Sequence, residues 1–182
     1  NSLPDDTLSM TRAGSGTWRA SVPAQLYGKY YTFRILHDGT WLAETPGVWA
    51  KAVGTNGRRA AIIDLSATNP EGWETDRGPA IGSITDAVIY EMHHRDMSVH
   101  PTSGIVNKGK FLALTEHGTR TPDGEATGID HLKELGVTHV HILPSYDYNS
   151  VDEANLAANG YNWGYDPQNY NAPELSLIHI SE

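Results

Sequence analysis

Apolar and polar positions alternate in short runs through the first 73 residues, and this pattern predicts short β-strands rather than helices. The predicted strands are residues 18–22, 29–35, 40–42 and 60–65. The second of them places Tyr31, Phe33 and Ile35 on one face. The turn dipeptide Asp38-Gly39 then favours a hairpin with residues 40–42. Strands at this spacing predict a small antiparallel sandwich.

The pattern changes after a stretch rich in proline and glycine, residues 69–83, which we interpret as a linker with a domain boundary near Gly78-Pro79. Residues 87–92 and 137–143 are near-continuous apolar runs, which predict strands buried on both faces. The second run ends at Pro144. With a helix between them, the two strands are expected to be parallel, as in a βαβ unit.

A short helix is predicted between these strands. Thr127 is a suitable N-cap, and Asp130 stands three positions later, where a capping box places its acidic residue. Gly136 is the expected C-terminal stop. The apolar face of the helix consists of Ile129, Leu132 and Leu135.

Composition and charge exclude several classes of function. The net charge of −9 disfavours nucleic acid and anionic membrane surfaces as partners. The chain has no cysteine, which excludes disulfides and thiolate chemistry. No apolar run is long enough to span a bilayer, and no signal-peptide pattern is present. Because the chain begins at Asn1 without methionine, we expect a missing or processed upstream part.

Residues 161–174, YNWGYDPQNYNAPE, combine rings, carboxamides and carboxylates around a glycine and a proline, and we call them the aromatic segment. Such a mixture suits a sugar, which offers a C–H face to a ring and hydroxyls to polar groups. A buried turn filled by rings explains these residues equally well. The segment follows the carboxyl end of the second predicted parallel strand, where α/β proteins bind ligands.

Several segments together resemble type I pullulanases, debranching members of glycoside hydrolase family 13, the α-amylase family. They are AVIYEMHHRDMS (87–98), KGKFLALTEHGTRTPDG (108–124), TGIDHLKELGVTHVHILP (127–144), YNWGYDPQNYNAPE (161–174) and GTNGRRAAIIDLSATNPEGW (54–73). The resemblance runs in family order from about Trp18 to Glu174 and implies an enzyme that cleaves α-1,6-glucosidic bonds.

The resemblance implies a β plus α/β architecture in two domains. Residues 1–78 correspond to an incomplete immunoglobulin-like sandwich, the starch-binding type classified as carbohydrate-binding module 48. Residues 79–174 correspond to the first two strands and loops of a (β/α)8 barrel. The implied partners are α-glucans such as pullulan, amylopectin and glycogen, from a bacterial source whose compartment is left open. No cofactor is implied for this fragment, and calcium dependence of the full-length enzyme is left open.

The resemblance also implies where the chemistry lies. A retaining glycosidase uses two carboxyl groups beside the scissile bond, and in the family these stand on later barrel strands, so no catalytic residue is assigned here and the fragment is expected to be inactive. Tyr165 corresponds to the tyrosine that stacks on the sugar at the cleavage subsite. Asn162, Trp163 and Asp166 are expected mainly to shape the motif, and they complete the predicted substrate-binding set.

Two departures from the family are visible. Residues 45–49, TPGVW, replace an Asp-Pro-Tyr type turn. After Glu174 a Gly-Ser-Tyr-like segment is expected, but residues 175–182 read LSLIHISE, a tail that matches nothing in the family and that we interpret as foreign sequence.

Three other hypotheses remain open from the sequence. His139 and His141 stand two apart on one strand, an arrangement that binds metal in amidohydrolase-type barrels, and His93-His94 adds to it. We nevertheless predict no metal site and expect His141 to be structural. The chain is alternatively a non-catalytic glucan-binding module, for which Trp18, Trp41 and Trp49 are candidates, although each is individually expected to be core. The third hypothesis is an isoamylase-like debranching enzyme or a glucan-branching enzyme.

Overall fold

The computed structural model describes residues 6–22, 25–158 and 160–178. Pro23, which directly follows the first predicted strand, lies outside these ranges, as do the last four residues of the tail. The strands are β1 Thr11–Arg12, β2 Trp18–Arg19, β3 Tyr30–Tyr31, β4 Leu36–His37, β5 Thr40–Trp41, β6 Ala60–Ala61, β7 Ile89–Met92, β8 His139–Ile142, β9 Tyr146–Tyr148 and β10 Pro167–Pro173. One α-helix, α1, spans Gly128–Glu134. In the described part of the chain these strands form five two-stranded sheets.

The predicted hairpin at Asp38-Gly39 is confirmed. Strands β4 and β5 are antiparallel, with Leu36 opposite Trp41, and both turn residues have positive φ (47° and 76°), as a type I′ turn requires. The longer strand predicted over residues 29–35 is divided, because the chain changes partner along it. Its first residues, in β3, pair with β6, whereas Phe33 forms an isolated bridge to Thr45.

The first part of the chain packs around small side chains. Ala50, Val53 and Ala60 are buried together with Ala172 of β10, and Tyr31 packs against them. The cluster therefore joins the two predicted parts of the chain. The sequence pattern predicts a β-rich first part, and the structure confirms it as a set of short strands.

The expectation that each tryptophan of the first part is core is wrong. Trp18, Trp41 and Trp49 have 58%, 56% and 78% of their surface exposed. The buried cluster is built from alanines and a valine, so it offers no large space that an indole ring would fill. Trp41 instead lies under the Arg34 guanidinium, 5.2 Å from its ring centroid, where cation–π attraction favours a partly exposed ring.

The parallel direction predicted for the two strands of the βαβ unit is confirmed, but their predicted burial is wrong. Strands β7 and β8 are parallel, in register from Ile89 opposite His139 to Met92 opposite Ile142. Both strands were expected to be buried on both faces, yet Ile89 is 66% exposed and every residue of β8 is exposed. The reason is that within the described ranges β7 and β8 pair only with each other, and α1 packs beside the turn Phe111–Thr115.

Helix α1 begins and ends where the sequence predicts, but the predicted capping box does not form. Thr127 is the N-cap residue and makes no side-chain capping bond, because its hydroxyl donates to the Ser103 carbonyl at 2.6 Å. The Asp130 carboxylate accepts instead from His117 Nδ1 at 3.0 Å and from the Gly118 amide. Gly136 (φ 73°) closes the helix as expected.

The apolar face predicted for α1 is only partly buried. Leu132 is 2% exposed, Ile129 is half-buried, and Leu135 is 52% exposed. No helix among the described residues has the length and apolar character needed to cross a membrane.

Candidate glucan-contacting site

The aromatic segment begins in a loop and continues into strand β10, which pairs antiparallel with β9. Strand β9 follows β8 after three residues, so the segment lies just beyond the carboxyl end of β8, as the topology predicts. The register shifts twice, between Pro167 and Asn169 and between Asn169 and Pro173. These irregularities let β10 bend, and they place its side chains less regularly than a strict alternation would.

Three polar groups hold the start of the segment in a defined turn. Asn162 Oδ1 accepts from the Gly164 amide at 2.6 Å, and Asn162 Nδ2 donates to Asp166 Oδ1 at 2.9 Å and to Ser150 Oγ at 2.8 Å. Asp166 Oδ2 accepts from the Ser150 amide at 2.9 Å. The structure therefore brings Asn162 and Asp166 together in one hydrogen-bonded turn. Their assignment to substrate binding stays a prediction.

The electrostatics of Asp166 agree with this bonding. Partial burial acts to raise the pKa of its carboxyl, but the hydrogen bonds from Ser150 and Asn162 outweigh that effect and leave the pKa below its ordinary value. The group is thus an anion at neutral pH. Both of its carboxylate oxygens accept hydrogen bonds that hold the turn.

The rings of the segment are exposed, as a stacking surface requires. Trp163 and Tyr165 have 64% and 66% of their surface accessible. Tyr161 is half exposed, and its ring lies edge-on to Trp163 with centroids 6.2 Å apart. Because the turn between these rings is fixed, they present apolar faces to solvent without the ordering cost that a mobile loop would carry.

Tyr161 is anchored at a second point. Its hydroxyl donates to Asp96 Oδ2 at 2.6 Å, and the Arg95 guanidinium lies 4.3 Å from its ring centroid. The hydrogen bond to Asp96 raises the pKa of Tyr161 above the ordinary value. These contacts tie the aromatic segment to the loop that follows β7, a connection that the sequence does not reveal.

A second aromatic surface lies between the two parts of the chain. Trp49 and Tyr170, 78% and 67% exposed, line a shallow groove together with Val48 and Gln168. Asn171 Nδ2 donates to the Val48 carbonyl at 2.9 Å and so holds the two sides of this groove together. Sequence reasoning named Trp49 but not Tyr170, although Tyr170 belongs to the aromatic segment.

The histidines considered as metal ligands do not come together. His139 Nδ1 lies 2.8 Å from Thr138 Oγ1, and His141 Nδ1 lies 3.0 Å from Glu91 Oε2 on the neighbouring strand. In the described ranges, the one set of three or more candidate ligands gathered closely enough for a metal contains no histidine. The His-x-His pair thus gains no third ligand from the described part of the chain.

His93 and His94 are buried instead, with 4% and 8% of their surface exposed. Burial is the main cause that lowers the pKa of both rings. His94 packs edge-on against Phe111, with ring centroids 4.7 Å apart. Both rings are therefore neutral and act as packing groups at neutral pH.

This burial predicts a pH-dependent stability. Because the folded pKa of His94 lies below the unfolded one, its contribution is fully present above the unfolded value near 6.5 and is lost as the pH falls toward the folded value. We expect His94→Phe to weaken the loss of stability on acidification from pH 7.5 to 5.5, measured by urea unfolding. The exposed control His37→Phe should keep the original pH dependence, and an unchanged slope in His94→Phe would contradict the assignment.

A cluster of three carboxylates was missed by sequence reasoning. Asp147 and Glu174 are fully buried and Glu153 is half-buried, and one oxygen of each lies within 4.8 Å of the others. We call this the carboxylate cluster. The sequence signal was weak: Glu174 stands between Pro173 and Leu175, and only the pairing of β9 with β10 brings it back to Asp147.

The first residues of the tail take part in this packing. Leu175–Leu177 form a 3-10 turn in which Leu177 is 3% exposed and contacts Tyr148 and Val151. The Leu175 amide donates to Glu153 Oε1 at 3.1 Å. The interpretation of the tail as foreign sequence stays a prediction.

No family model matches the chain. The pullulanase of Bacillus subtilis (strain 168) is 42% identical over 170 residues, which cover 93% of this chain and 23% of that protein. The crystal structure of the pullulanase from Paenibacillus barengoltzii in complex with maltohexaose and α-cyclodextrin matches with a TM-score of 0.91 and 55% identity, over 97% of this chain and 27% of that one.

A further solved structure, the pullulanase from Bacillus acidopullulyticus, matches with a TM-score of 0.87 and 45% identity, over 93% of this chain and 21% of its own. The chain thus spans about a quarter of the length of the relatives it matches.

Proposed function

This chain is a segment related to the pullulanases over nearly its whole length, and from that premise we propose that it belongs to a glycoside hydrolase that cleaves α-1,6-glucosidic bonds by a retaining, two-carboxylate mechanism. The substrates proposed are pullulan, starch and glycogen limit dextrins. Crystal structures of the Paenibacillus barengoltzii pullulanase and its variants contain maltotriose, maltotetraose or maltohexaose, which supports an α-glucan as the ligand of this chain.

The architecture we propose has two domains. The short antiparallel strands of residues 1–78 would form part of a sandwich of the carbohydrate-binding module 48 type, and residues 79–174 would begin a (β/α)8 barrel. The parallel pairing of β7 and β8 around α1 supports the second assignment, since a barrel is built from such units. The exposed apolar faces of both strands are also what a sheet with further neighbours would present.

Within this segment the proposed role is to contact the glucan. The observation that carries it is the pair of exposed rings, Trp163 and Tyr165, on a turn fixed by Asn162 and Asp166. We assign Tyr165 to stacking on a sugar ring, which would orient the bond and favour positive charge at the reacting carbon. Asn162, Trp163 and Asp166 complete the substrate-binding set, chiefly by shaping the turn.

The segment itself is not expected to cleave the bond. A retaining mechanism needs two carboxyl groups about 5–5.5 Å apart that both reach the substrate. The carboxylate cluster has close spacing, but Asp147 and Glu174 are 0% exposed and cannot touch a polysaccharide. The two carboxylate oxygens of Asp166 already accept hydrogen bonds from Asn162 and Ser150.

Affinity electrophoresis in gels containing pullulan, combined with a reducing-end assay, tests this function. We expect the chain to be retarded by pullulan and to release no reducing ends. Tyr165→Ala should weaken binding by roughly three- to tenfold, the range for loss of one stacked ring. Tyr27→Ala, which removes another exposed ring in the first part of the chain, is the matched control and should bind normally.

Either of two results would oppose the proposal. Release of reducing ends would mean that working catalytic carboxylates lie within this segment. Equal retardation of Tyr165→Ala and the unaltered chain would remove Tyr165 from the contact surface.

A non-catalytic glucan-binding module is the second candidate function. The exposed groove with Trp49 and Tyr170 favours it, because two accessible rings beside amide groups suit a polysaccharide. If this groove is the main contact, Trp49→Ala will abolish retardation by pullulan whereas Tyr165→Ala will not.

A further inference from the structure

Two consecutive residues of the loop after β7 hold two consecutive residues of the aromatic segment. The Arg95 guanidinium lies over the Tyr161 ring, 4.3 Å from its centroid, and donates through Nη2 to the Asn162 carbonyl at 3.3 Å. The Asp96 carboxylate accepts from the Tyr161 hydroxyl at 2.6 Å. Three contacts therefore join two segments that stand 65 positions or more apart in the sequence.

Asn162 is the residue through which these contacts reach Tyr165. Its side chain accepts from the Gly164 amide and donates to the Asp166 carboxylate, so it forms hydrogen bonds on both sides of Tyr165. A shift of the Asn162 main chain would move the origin of both bonds, and the Tyr165 ring would move with the turn. The residue that fixes the Asn162 main chain therefore controls how accurately the ring is placed.

Arg95 is itself fixed before it meets the aromatic segment. Its amide donates to His93 Nδ1 at 3.1 Å. Its carbonyl accepts from the Ser98 and Val99 amides at 3.1 and 2.9 Å. A Cβ built on Gly109 would lie 3.3 Å from Arg95 Cγ, so little space is left beside the stem of the side chain. Because this turn is already ordered, it holds the aromatic segment at little further cost in conformational entropy.

The two contacts of Arg95 require a guanidinium group. A planar guanidinium presents its face to a ring while an N–H at its edge donates to a carbonyl, whereas a lysine ammonium is a compact charge without this fork. The Arg95 side chain is 29% exposed, and its Nε lies 3.8 Å from Asp96 Oδ1. Partial removal from water strengthens the attraction between the cation and the ring. Arg95→Lys is therefore not a conservative change at this position.

We propose that Arg95 is a positioning residue that, assisted by Asp96, keeps the turn of the aromatic segment in the geometry in which Tyr165 receives a glucose ring. This inference rests on the proposed function, because the place of the ring matters only if it meets a glucan. It deepens that function by giving a role to the loop after β7, to which sequence reasoning gave no part in substrate binding.

Amide hydrogen exchange, followed by NMR without any glucan, tests the positioning directly. Arg95→Lys and Arg95→Ala should speed exchange of the Gly164 amide, which donates to Asn162, by about tenfold, because the turn opens more often. The Leu42 amide, which donates to the Ile35 carbonyl in the β4–β5 hairpin, should keep its rate. Equal acceleration at both amides would mean that Arg95 only stabilises the whole chain. No acceleration at Gly164 would mean that it does not hold the turn.

Retardation by pullulan tests the consequence for binding. Arg95→Ala should weaken binding roughly three- to tenfold, and Arg95→Lys should recover only part of the loss. The matched control is Arg120→Lys, because Arg120 Nη1 likewise donates to a backbone carbonyl, that of Gly124 at 2.7 Å, outside the aromatic segment. Millimolar guanidinium chloride, far below denaturing concentrations, should partly restore binding to Arg95→Ala, whereas sodium chloride at the same concentration should not.

The two measurements separate the failure of this inference from the failure of the proposed function. If pullulan does not retard the unaltered chain, the proposed function falls, and exchange at Gly164 still decides whether Arg95 holds the turn. If Tyr165→Ala weakens binding but both Arg95 variants bind as tightly as Arg120→Lys, the positioning role is wrong. Should Arg95→Ala fail to fold, Arg95→Lys decides both measurements.

Discussion

Gly164→Ala is expected to be strongly destabilising, by roughly 2–4 kcal/mol in the free energy of unfolding, because strain and overpacking add at this position. Gly164 has φ of 87°, a conformation that a side chain disfavours. A Cβ built there lies 1.9 Å from the Pro144 carbonyl oxygen and 3.1 Å from Tyr148 Cε1. The backbone at Pro144, just after β8, would have to move, because the nearest atom belongs to that backbone and not to a flexible side chain. Urea unfolding measures the loss.

Gly124→Ala separates the two causes. Gly124 has nearly the same backbone angle, φ of 90°, but no atom lies within 4 Å of a Cβ built on it. Its alanine variant should therefore show only the conformational cost of about 1 kcal/mol. If Gly164→Ala proves no worse than Gly124→Ala, the close approach of Gly164 to Pro144 does not hold the turn. Pullulan retardation should fall only in Gly164→Ala, because that turn carries Tyr165.

Features encoded by neighbouring residues could be predicted from the sequence. The Asp38-Gly39 hairpin follows from a two-residue turn whose backbone angles only a few residue types tolerate. The end of α1 follows from Gly136, which acts within one turn of the helix, whereas Thr127 stands at the start of the helix without capping it through its side chain. The parallel pairing of β7 with β8 follows from chirality and connection length.

Features decided by distant partners could not be predicted. Asp130 has the right spacing for a capping box, but His117 and Gly118 reach it from outside the helix and take both oxygens. Trp18 and Trp41 are residue types that are highly buried on average, yet burial depends on space that other segments must leave.

The contacts of the candidate site divide in the same way, into those between neighbouring residues and those between distant ones. Asn162 and Asp166 stand four residues apart, so their hydrogen bond is a local contact, although the sequence analysis named both residues only from the family resemblance. The carboxylate cluster needs residues 147, 153 and 174, and it depends on the irregular register of β9 with β10. Tyr161 likewise meets Asp96 across 65 positions of sequence.

Removal of the Asp166 carboxylate is the second change with a large expected effect. Asp166→Ala leaves the Ser150 amide and Asn162 Nδ2 without their acceptor, and a lost bond to a charged group costs more than a neutral one. We expect a loss of about 2–3 kcal/mol in the free energy of unfolding, with partial exposure of the group keeping it from being larger. Weaker retardation by pullulan should accompany it, because the turn that positions Tyr165 loosens.

The pH dependence of this loss identifies its cause. Hydrogen bonds hold the folded pKa of Asp166 below its ordinary value, so its contribution is present above the unfolded value near 3.9 and disappears as the pH falls through the folded value. The difference in stability between the unaltered chain and Asp166→Ala should therefore shrink below pH 4. Asp123→Ala, an exposed carboxylate, should change neither stability nor binding. If Asp166→Ala instead weakens pullulan binding while the free energy of unfolding stays unchanged, Asp166 contacts the sugar directly and does not hold the turn.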